Sequence, residues 1–368
     1  MTNQIKVLHI LYELRSSGAE IMVKNATPYW NEKGVAQHIL ATAEKLGEYS
    51  DTLMAEGISI HHLPFKNSVD FYSKLLRLIR TYQFDVVHIH TERTALTYAL
   101  LARLAGVPII IRTLHSTYLF EGVIRFNRSV RRWIMHRLNI IQVSVSTTVK
   151  QNEQKRFHNS TLLINNWYDD SRFYPPSKNE RAIARQKLGV TNECKVIISV
   201  GNCAPVKNHE SIIRALSIIK ETESNLEYWH IGEEEPETME RKLVEDLGLN
   251  NIVKFLGRRD DIRRFLWAAD VFVMPSFREG FGIAVLEAYA TGIPIVLAKT
   301  PGLEQWASIF PDLYFSKPSA EDLATKMIQG LNENLCTKRD LTFLVNHYGT
   351  RVGAENYYNL FYSRIFKC

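Results

Sequence analysis

The chain has 368 residues, 45% hydrophobic and 23% charged, a composition that excludes disordered and fibrous classes and makes two globular domains the natural expectation. No apolar run reaches the length of a membrane span, and Cys194, Cys203, Cys336 and Cys368 lack the paired spacing of a zinc site or disulfide framework, which fits a reducing cytoplasm. The formal charge of +6 sits wholly in the first half, where residues 1–170 hold 20 Lys and Arg against 14 Asp and Glu while residues 171–368 hold 25 of each, so an anionic partner is expected there.

The opening MTNQIKVLHILYELRS lacks the basic start and small-residue cleavage site of a signal peptide and reads as a first strand, Lys6 to Tyr12. Ser16-Ser17-Gly18-Ala19-Glu20 then leads into a helix to about Trp30. Such a loop suits a phosphate at the helix start but reads equally as an ordinary βα turn, and without G-x-G-x-x-G no dinucleotide site is expected. Strands at Gln37–Ala43, Ile58–Pro64, Asp85–His90 and Pro108–Leu114 alternate with helices at Asp70–Tyr82 and Thr94–Leu104, which predicts a parallel, doubly wound sheet. His88 and His90 alternate on one strand, but the sequence shows no third ligand nearby, so no metal site is expected. His115 follows a strand at its carboxyl end, where open α/β sheets place ligand-binding residues.

Gly122–Leu138 has helical periodicity, with Phe126, Val130, Trp133, Ile134 and Arg137 on one face and Arg125, Arg128 and Arg132 in a neighbouring stripe. Two readings stay open. Either the helix lies on an anionic membrane surface, or its apolar face packs on the sheet while the arginines are solvated. Ile140–Ser146 is the next strand, Thr147–Phe157 a helix and Thr161–Ile164 a short last strand. SRFYPPSKN, without periodicity and with paired prolines, is the linker candidate.

The pattern then restarts. Lys195–Val200 is a strand ending at Gly201, and Asn202 to His209 leads into a helix reaching about Lys220. Leu226–Ile231, a helix at Glu237–Leu247 and Ile252–Leu256 follow, and Asp260 is the expected cap of a helix to about Ala268. Asp270 to Val296, DVFVMPSFREGFGIAVLEAYATGIPIV, reads as a buried strand, a glycine-flanked loop, a buried helix over Ile283–Ala290 and a second buried strand, with Gly292 closing the helix. Glu279 and Glu287 are carboxylates in this otherwise apolar unit, so each should have a partner. The loop is at the carboxyl end of a strand, and the helix start behind it offers free N–H groups to a phosphate. Ala320–Leu331 and the aromatic Gly353–Phe366 complete the helices.

Glu279 and Glu287, with seven residues between them including Gly280-Phe281-Gly282, and with Gly292-Ile293-Pro294 after, resemble the E-x7-E signature of retaining GT-B glycosyltransferases of the glycosyl transferases group 1 type. The resemblance implies two facing Rossmann-like domains with the active site in the cleft between them. The expected boundaries are 1–170 for the acceptor domain and 171–352 for the donor domain, with the helix at 353–368 crossing back to the first. Other segments resemble the family too. Ser17-Gly18-Ala19-Glu20 is similar to its G-G-A-E loop facing the donor phosphates, AGVPIIIRTLHS to the segment carrying its catalytic histidine, and INNWYDDSRFYP to its interdomain crossing.

By this resemblance Glu279 holds the donor sugar, Glu287 the ribose hydroxyls, and His115 stabilises the sugar or acceptor complex. Gly18, Lys207, Arg258, Gly280, Phe281, Gly282 and Ile283 belong to the donor site. Asn202 stands where the family has a diphosphate-binding arginine; Arg278 is a candidate replacement. The expected reaction moves a sugar from a nucleotide donor, a UDP-sugar for choice, to a glycan or lipid-linked glycan with retention. No cofactor, no metal and no nucleic acid are expected, since the chain has no D-x-D triplet to hold a cation. The expected place is the cytoplasm, at the inner face of the cell membrane. The alternatives are a nucleotide-sugar epimerase of the same fold and a degenerate nucleotide- or partner-binding module, for which Asn202 is the feature in favour.

Overall fold

The computed structural model describes residues 4–234, 239–333 and 339–365. The chain divides into two compact units, Met1–Trp167 with His347–Cys368, and Tyr168–Asn346. Each is a parallel sheet covered by helices.

In the first unit the elements run β1 (Ile5–Leu11), α1 (Gly18–Glu32), β2 (Val35–Ala41), α2 (Ser50–Ala55), β3 (Ser59–His62), α3 (Val69–Tyr82), β4 (Val86–Ile89) and α4 (Ala95–Leu104). Next come β5 (Ile109–Leu114), α5 (Gly122–Arg137), β6 (Ile141–Ser144), α6 (Thr147–Phe157) and β7 (Leu162–Leu163). The strands order as β3-β2-β1-β4-β5-β6-β7. The order reverses between β1 and β4, where His9 and His88 are register partners. β4 is apolar apart from His88, and β1 is apolar apart from His9 and the half-buried Lys6 near its start, as strands buried on both faces should be.

The second unit runs α7 (Lys178–Lys187), β8 (Lys195–Val200), α8 (His209–Ile219), β9 (Leu226–Ile231), α9 (Met239–Asp246), β10 (Val253–Phe255) and α10 (Ile262–Ala268). It continues with β11 (Val271–Met274), α11 (Ile283–Ala290), β12 (Ile295–Ala298), β13 (Tyr314–Ser316), α12 (Ala320–Leu331) and α13 (Thr342–Tyr348). Its sheet orders as β10-β9-β8-β11-β12-β13, so the switch point lies between β8 and β11. α7 begins just past the paired prolines with a full capping box, Ser177 and Glu180 each accepting from the other's backbone N–H.

The last helix, α14 (Thr350–Ile365), packs in the first unit. Tyr357 and Phe361 are fully buried there, and Ala354 accepts a 2.9 Å hydrogen bond from Trp30 Nε1 on α1. A Cβ on Gly353 would lie 1.9 Å from the Trp167 ring, so glycine permits this approach.

Two local expectations change. Asp261, not Asp260, precedes α10, and it pairs with Arg264 instead of capping the backbone. The α9 start expected at Glu237, Cys336 and Cys368 lie outside the described residues, while Cys194 and Cys203 are free and buried.

Candidate functional site

The switch point of the second sheet gathers the loop after β8, the loop after β11 and the start of α11. Lys207 closes a 3-10 turn over Pro205–Lys207, and Asn208 is left-handed with φ +56° before α8 begins. Lys207 Nζ lies 2.6 Å from Glu279 Oε1, which also accepts from Ser276 Oγ at 2.8 Å. The expectation of a partner for Glu279 is met. Gly282 precedes α11 in the left-handed region with φ +81°, and α11 occupies Ile283–Ala290 as the sequence predicts. Phe281 is buried edge-on against Trp306 at 5.2 Å.

Glu287 differs. It faces inward on α11 and is 9% exposed, yet among the described residues its carboxylate has no hydrogen-bond or ion-pair partner. Burial pushes its pKa up to about 7, opposed only by the more distant positive charge of Arg172. The expected protein partner for Glu287 is therefore missing. A buried carboxylate without a donor costs stability, and a ligand hydroxyl is what would satisfy it.

Asn202 extends from the end of β8, where its Oδ1 accepts from the Glu233 backbone N–H at 3.0 Å. The side chain in the arginine's place thus ties two loops together. Arg258 follows β10 and lies 3.8 Å from the Asp260 carboxylate, while Arg278 is half-buried beside Glu279. Sequence reasoning missed Gly302. A Cβ there would meet the Glu279 backbone oxygen at 2.1 Å, at φ +93°, so this glycine lets the chain after β12 pass under the Glu279 loop. Thr300 Oγ1 donates to the Ser276 carbonyl at 2.7 Å in the same crossing. Nothing in sequence spacing marks Gly302, because the contact is made across 23 positions.

In the first unit Gly18 opens α1 behind Ser17, whose hydroxyl donates to Glu20. Glu20 is buried and its pKa is pushed up to about 7 by burial. His115 sits past the carboxyl end of β5, with Nε2 3.0 Å from His90 Nδ1, and burial lowers its pKa to about 4. The expectation that His88 and His90 stand without a third histidine is corrected. The parallel pairing of β1 with β4 brings in His9, and β5 delivers His115.

Of the two readings of Gly122–Leu138, the geometry bears on the one that packs the apolar face on the sheet. The buried residues of α5 are Arg132 and Met135, while Val123, Ile124, Phe126 and Trp133 are exposed, Phe126 at 67% and Trp133 at 57%. Arg132 is drawn inward by Glu153, at 2.6 and 2.9 Å, and by Glu92 at 3.1 Å. The reading with a packed apolar face and solvated arginines fails, because Glu153 and Glu92 draw in Arg132 of the basic stripe, while Arg125 stays exposed and Phe126 and Trp133 face outward.

Two units, each a parallel sheet covered by helices, have the architecture of the GT-B glycosyltransferases, the class that draws on nucleotide-sugar donors. The model of Glycosyltransferase Family 4 matches residues 16–199, half of the chain, and that of Glycosyl transferases group 1 matches residues 180–341. The chain belongs to Glycosyltransferase Family 4. It is 30% identical over 62% of its length to the UDP-Gal:alpha-D-GlcNAc-diphosphoundecaprenol alpha-1,3-galactosyltransferase of Escherichia coli, and the match spans 61% of that protein. It is 26% identical to the putative glycosyltransferase EpsF of Bacillus subtilis over 98% of this chain and 97% of the relative. Among solved structures it resembles Anabaena HepE in complex with UDP-glucose, at TM-score 0.83 and 20% identity, covering 98% of this chain and all of the other.

Proposed function

We propose that the protein transfers a hexose-type sugar, with retention of anomeric configuration, from a UDP-sugar to a lipid-linked glycan. The observation that carries the donor assignment is Glu287, a buried carboxylate left without a partner at the switch point of the second sheet. It accepts the ribose hydroxyls. Glu279, held by Lys207 and Ser276, accepts from the donor sugar. The diphosphate takes up the α11 start and Lys207, whose ammonium turns from Glu279 alone to both groups as charge develops on the leaving phosphate. Asn202 supplies no charge, so the helix start and Lys207 carry the neutralisation, and the step draws on no metal. His115 is the catalytic residue proposed for the first unit, offering its buried Nδ1 side. The donor class has support from the E. coli relative, whose name specifies UDP-Gal, and from HepE with bound UDP-glucose.

The acceptor assignment rests on α5. Its outward apolar residues are flanked by exposed Arg125, Arg131 and Arg137, the composition of a helix that lies on an anionic lipid surface. A cavity of about 340 Å³ beside it is lined by Val130, Trp133 and Phe157, among others. No described helix is long and apolar enough to cross a membrane, so α5 would give peripheral contact at the inner face of the cell membrane.

The test is a donor screen that reads release of nucleoside diphosphate. Release of UDP from one UDP-sugar without added Mg2+ or Mn2+, abolished in Glu279→Ala with the fold retained, is the expected result. Turnover that survives in Glu279→Ala removes Glu279 from the site, and an epimerised donor without released UDP replaces transfer by epimerisation.

A further inference from the structure

The first sheet has its own switch point, and histidines converge on it from separate strands. His9 and His88 face each other across β1 and β4, and His90 lies two residues beyond His88 on the same side. The His9 ring centroid is 5.1 Å from that of His88 and 5.4 Å from that of His90, and the His88 and His90 rings are 4.1 Å apart. One ring nitrogen from each of the three lies within 4.8 Å of the others, and His9 Nδ1 is 3.1 Å from His90 Nε2. Nitrogens bound tetrahedrally to one zinc ion at about 2.0–2.1 Å stand about 3.4 Å apart, so small ring movements suffice.

The outer nitrogens are already held. His9 Nε2 is 2.7 Å from Gln37 Oε1, and His90 Nδ1 is 3.0 Å from His115 Nε2. His88 Nε2 is 2.7 Å from Thr113 Oγ1, which in turn meets the Tyr357 hydroxyl at 2.8 Å. Each of these oxygens or nitrogens can accept, which allows the proton to sit on the outer nitrogen and leave the inner lone pair free. That is the arrangement by which partners behind a metal-binding imidazole set its tautomer. His88 Nδ1, the inner nitrogen, is buried without a partner, although it belongs to a fully buried side chain. Trp30, stacked on His9 at 5.8 Å, and Phe361 near His88 supply an apolar wall.

We propose that His9 Nδ1, His88 Nδ1 and His90 Nε2 bind one divalent transition-metal ion of zinc-like preference, with a fourth position for water. Imidazole sets of this kind suit zinc, cobalt, copper or nickel and not magnesium or calcium. The ion pins β1 to β4 at the switch point. Through His90 it also holds His115 in the tautomer with the proton on Nδ1. It touches neither donor nor acceptor and bears on the transfer proposed above only through the tautomer of His115, so Co2+ binding and UDP release test the two readings separately.

Cobalt tests this independently of donor or acceptor, because four-coordinate Co2+ absorbs visibly. Co2+ is titrated into chelator-treated full-length protein, and zinc is then added. The expected result is one equivalent of Co2+ with visible bands that zinc abolishes, and loss of those bands in His88→Gln and in His90→Gln. His90→Gln is the safer variant for folding, since that residue lies just past the end of β4, and far-ultraviolet dichroism checks both. Absence of the bands in the wild-type protein, or equal bands in a folded His90→Gln, overturns the site and leaves the histidines as a hydrogen-bonded chain.

Discussion

α5 and α11 each bury a charged side chain, and the contrast between them separates architecture from chemistry. Arg132 on α5 is 1% exposed and its guanidinium is met by Glu153 and Glu92. Glu287 on α11 is 9% exposed and has no partner among the described residues. A buried charge supplied with counter-charges by its own protein is a structural joint, held at the cost of desolvating several groups. A buried charge left unsupplied is a place where the folded protein keeps an interaction in reserve. The same comparison explains the apolar faces. α11 is buried on nearly all sides, so its glutamate is the exception, whereas α5 has been turned over by its arginines and shows its apolar residues outward.

The largest expected effect breaks the joint. Arg132→Ala leaves Glu153, fully buried, without its principal counter-charge, and should lower unfolding stability by about 3–5 kcal/mol. Denaturant titration measures this. Arg132→Met together with Glu153→Gln should recover much of the loss, since both charges leave together.

A smaller effect sharpens the other half. Glu287→Gln should weaken UDP-sugar binding by about 10- to 150-fold, the value of about 1.5–3 kcal/mol for hydrogen bonds to a charged group, read by calorimetry. Its stability effect has the opposite sign. A carboxyl raised to about 7 in the fold contributes fully below its unfolded value near 4.5 and loses that contribution as pH rises through 7. The ligand-free variant should therefore gain stability relative to wild type at pH 8 and show no such gain at pH 4. A uniform loss at both values would mean that Glu287 has a protein partner after all.

These regions also differ in how far the sequence disclosed them. From β11 to β12 the strand, loop, helix and strand are consecutive, so Glu279, Gly282 and Glu287 were legible from spacing and from the alternation of apolar and turn residues. α5 was legible as a helix but not in its orientation. The carboxylates that turn it come from Glu92, before α4, and Glu153, on α6, and periodicity treats every Arg as solvated. The His9–His88 neighbourhood was equally hidden, because parallel register joins positions 79 apart. α7, β13 and α13 were not anticipated, although β10 and α10, of the same lengths as β13 and α13, were. Gly302 shows the same limit at one residue, since its need for glycine arises only when the chain after β12 meets the Glu279 backbone.

The smallest stability effect belongs to the outward face of α5, and there the comparison acquires a partner outside the protein. Val123, Phe126 and Trp133 make little of the fold, so changing all three to Ser should shift unfolding stability by no more than about 0.5 kcal/mol each. If the face meets lipid, the same variant should lose most of its sedimentation with anionic vesicles while leaving UDP release from a soluble donor in place. Arg125 and Arg131 should matter differently. Removing either should weaken vesicle binding by about 1 kcal/mol and make it less sensitive to salt, because each contributes attraction to the headgroups and no insertion. Equal binding of wild type to neutral and anionic vesicles would leave the exposed apolar stripe without its lipid explanation, even though Arg132 would still account for why α5 faces that way.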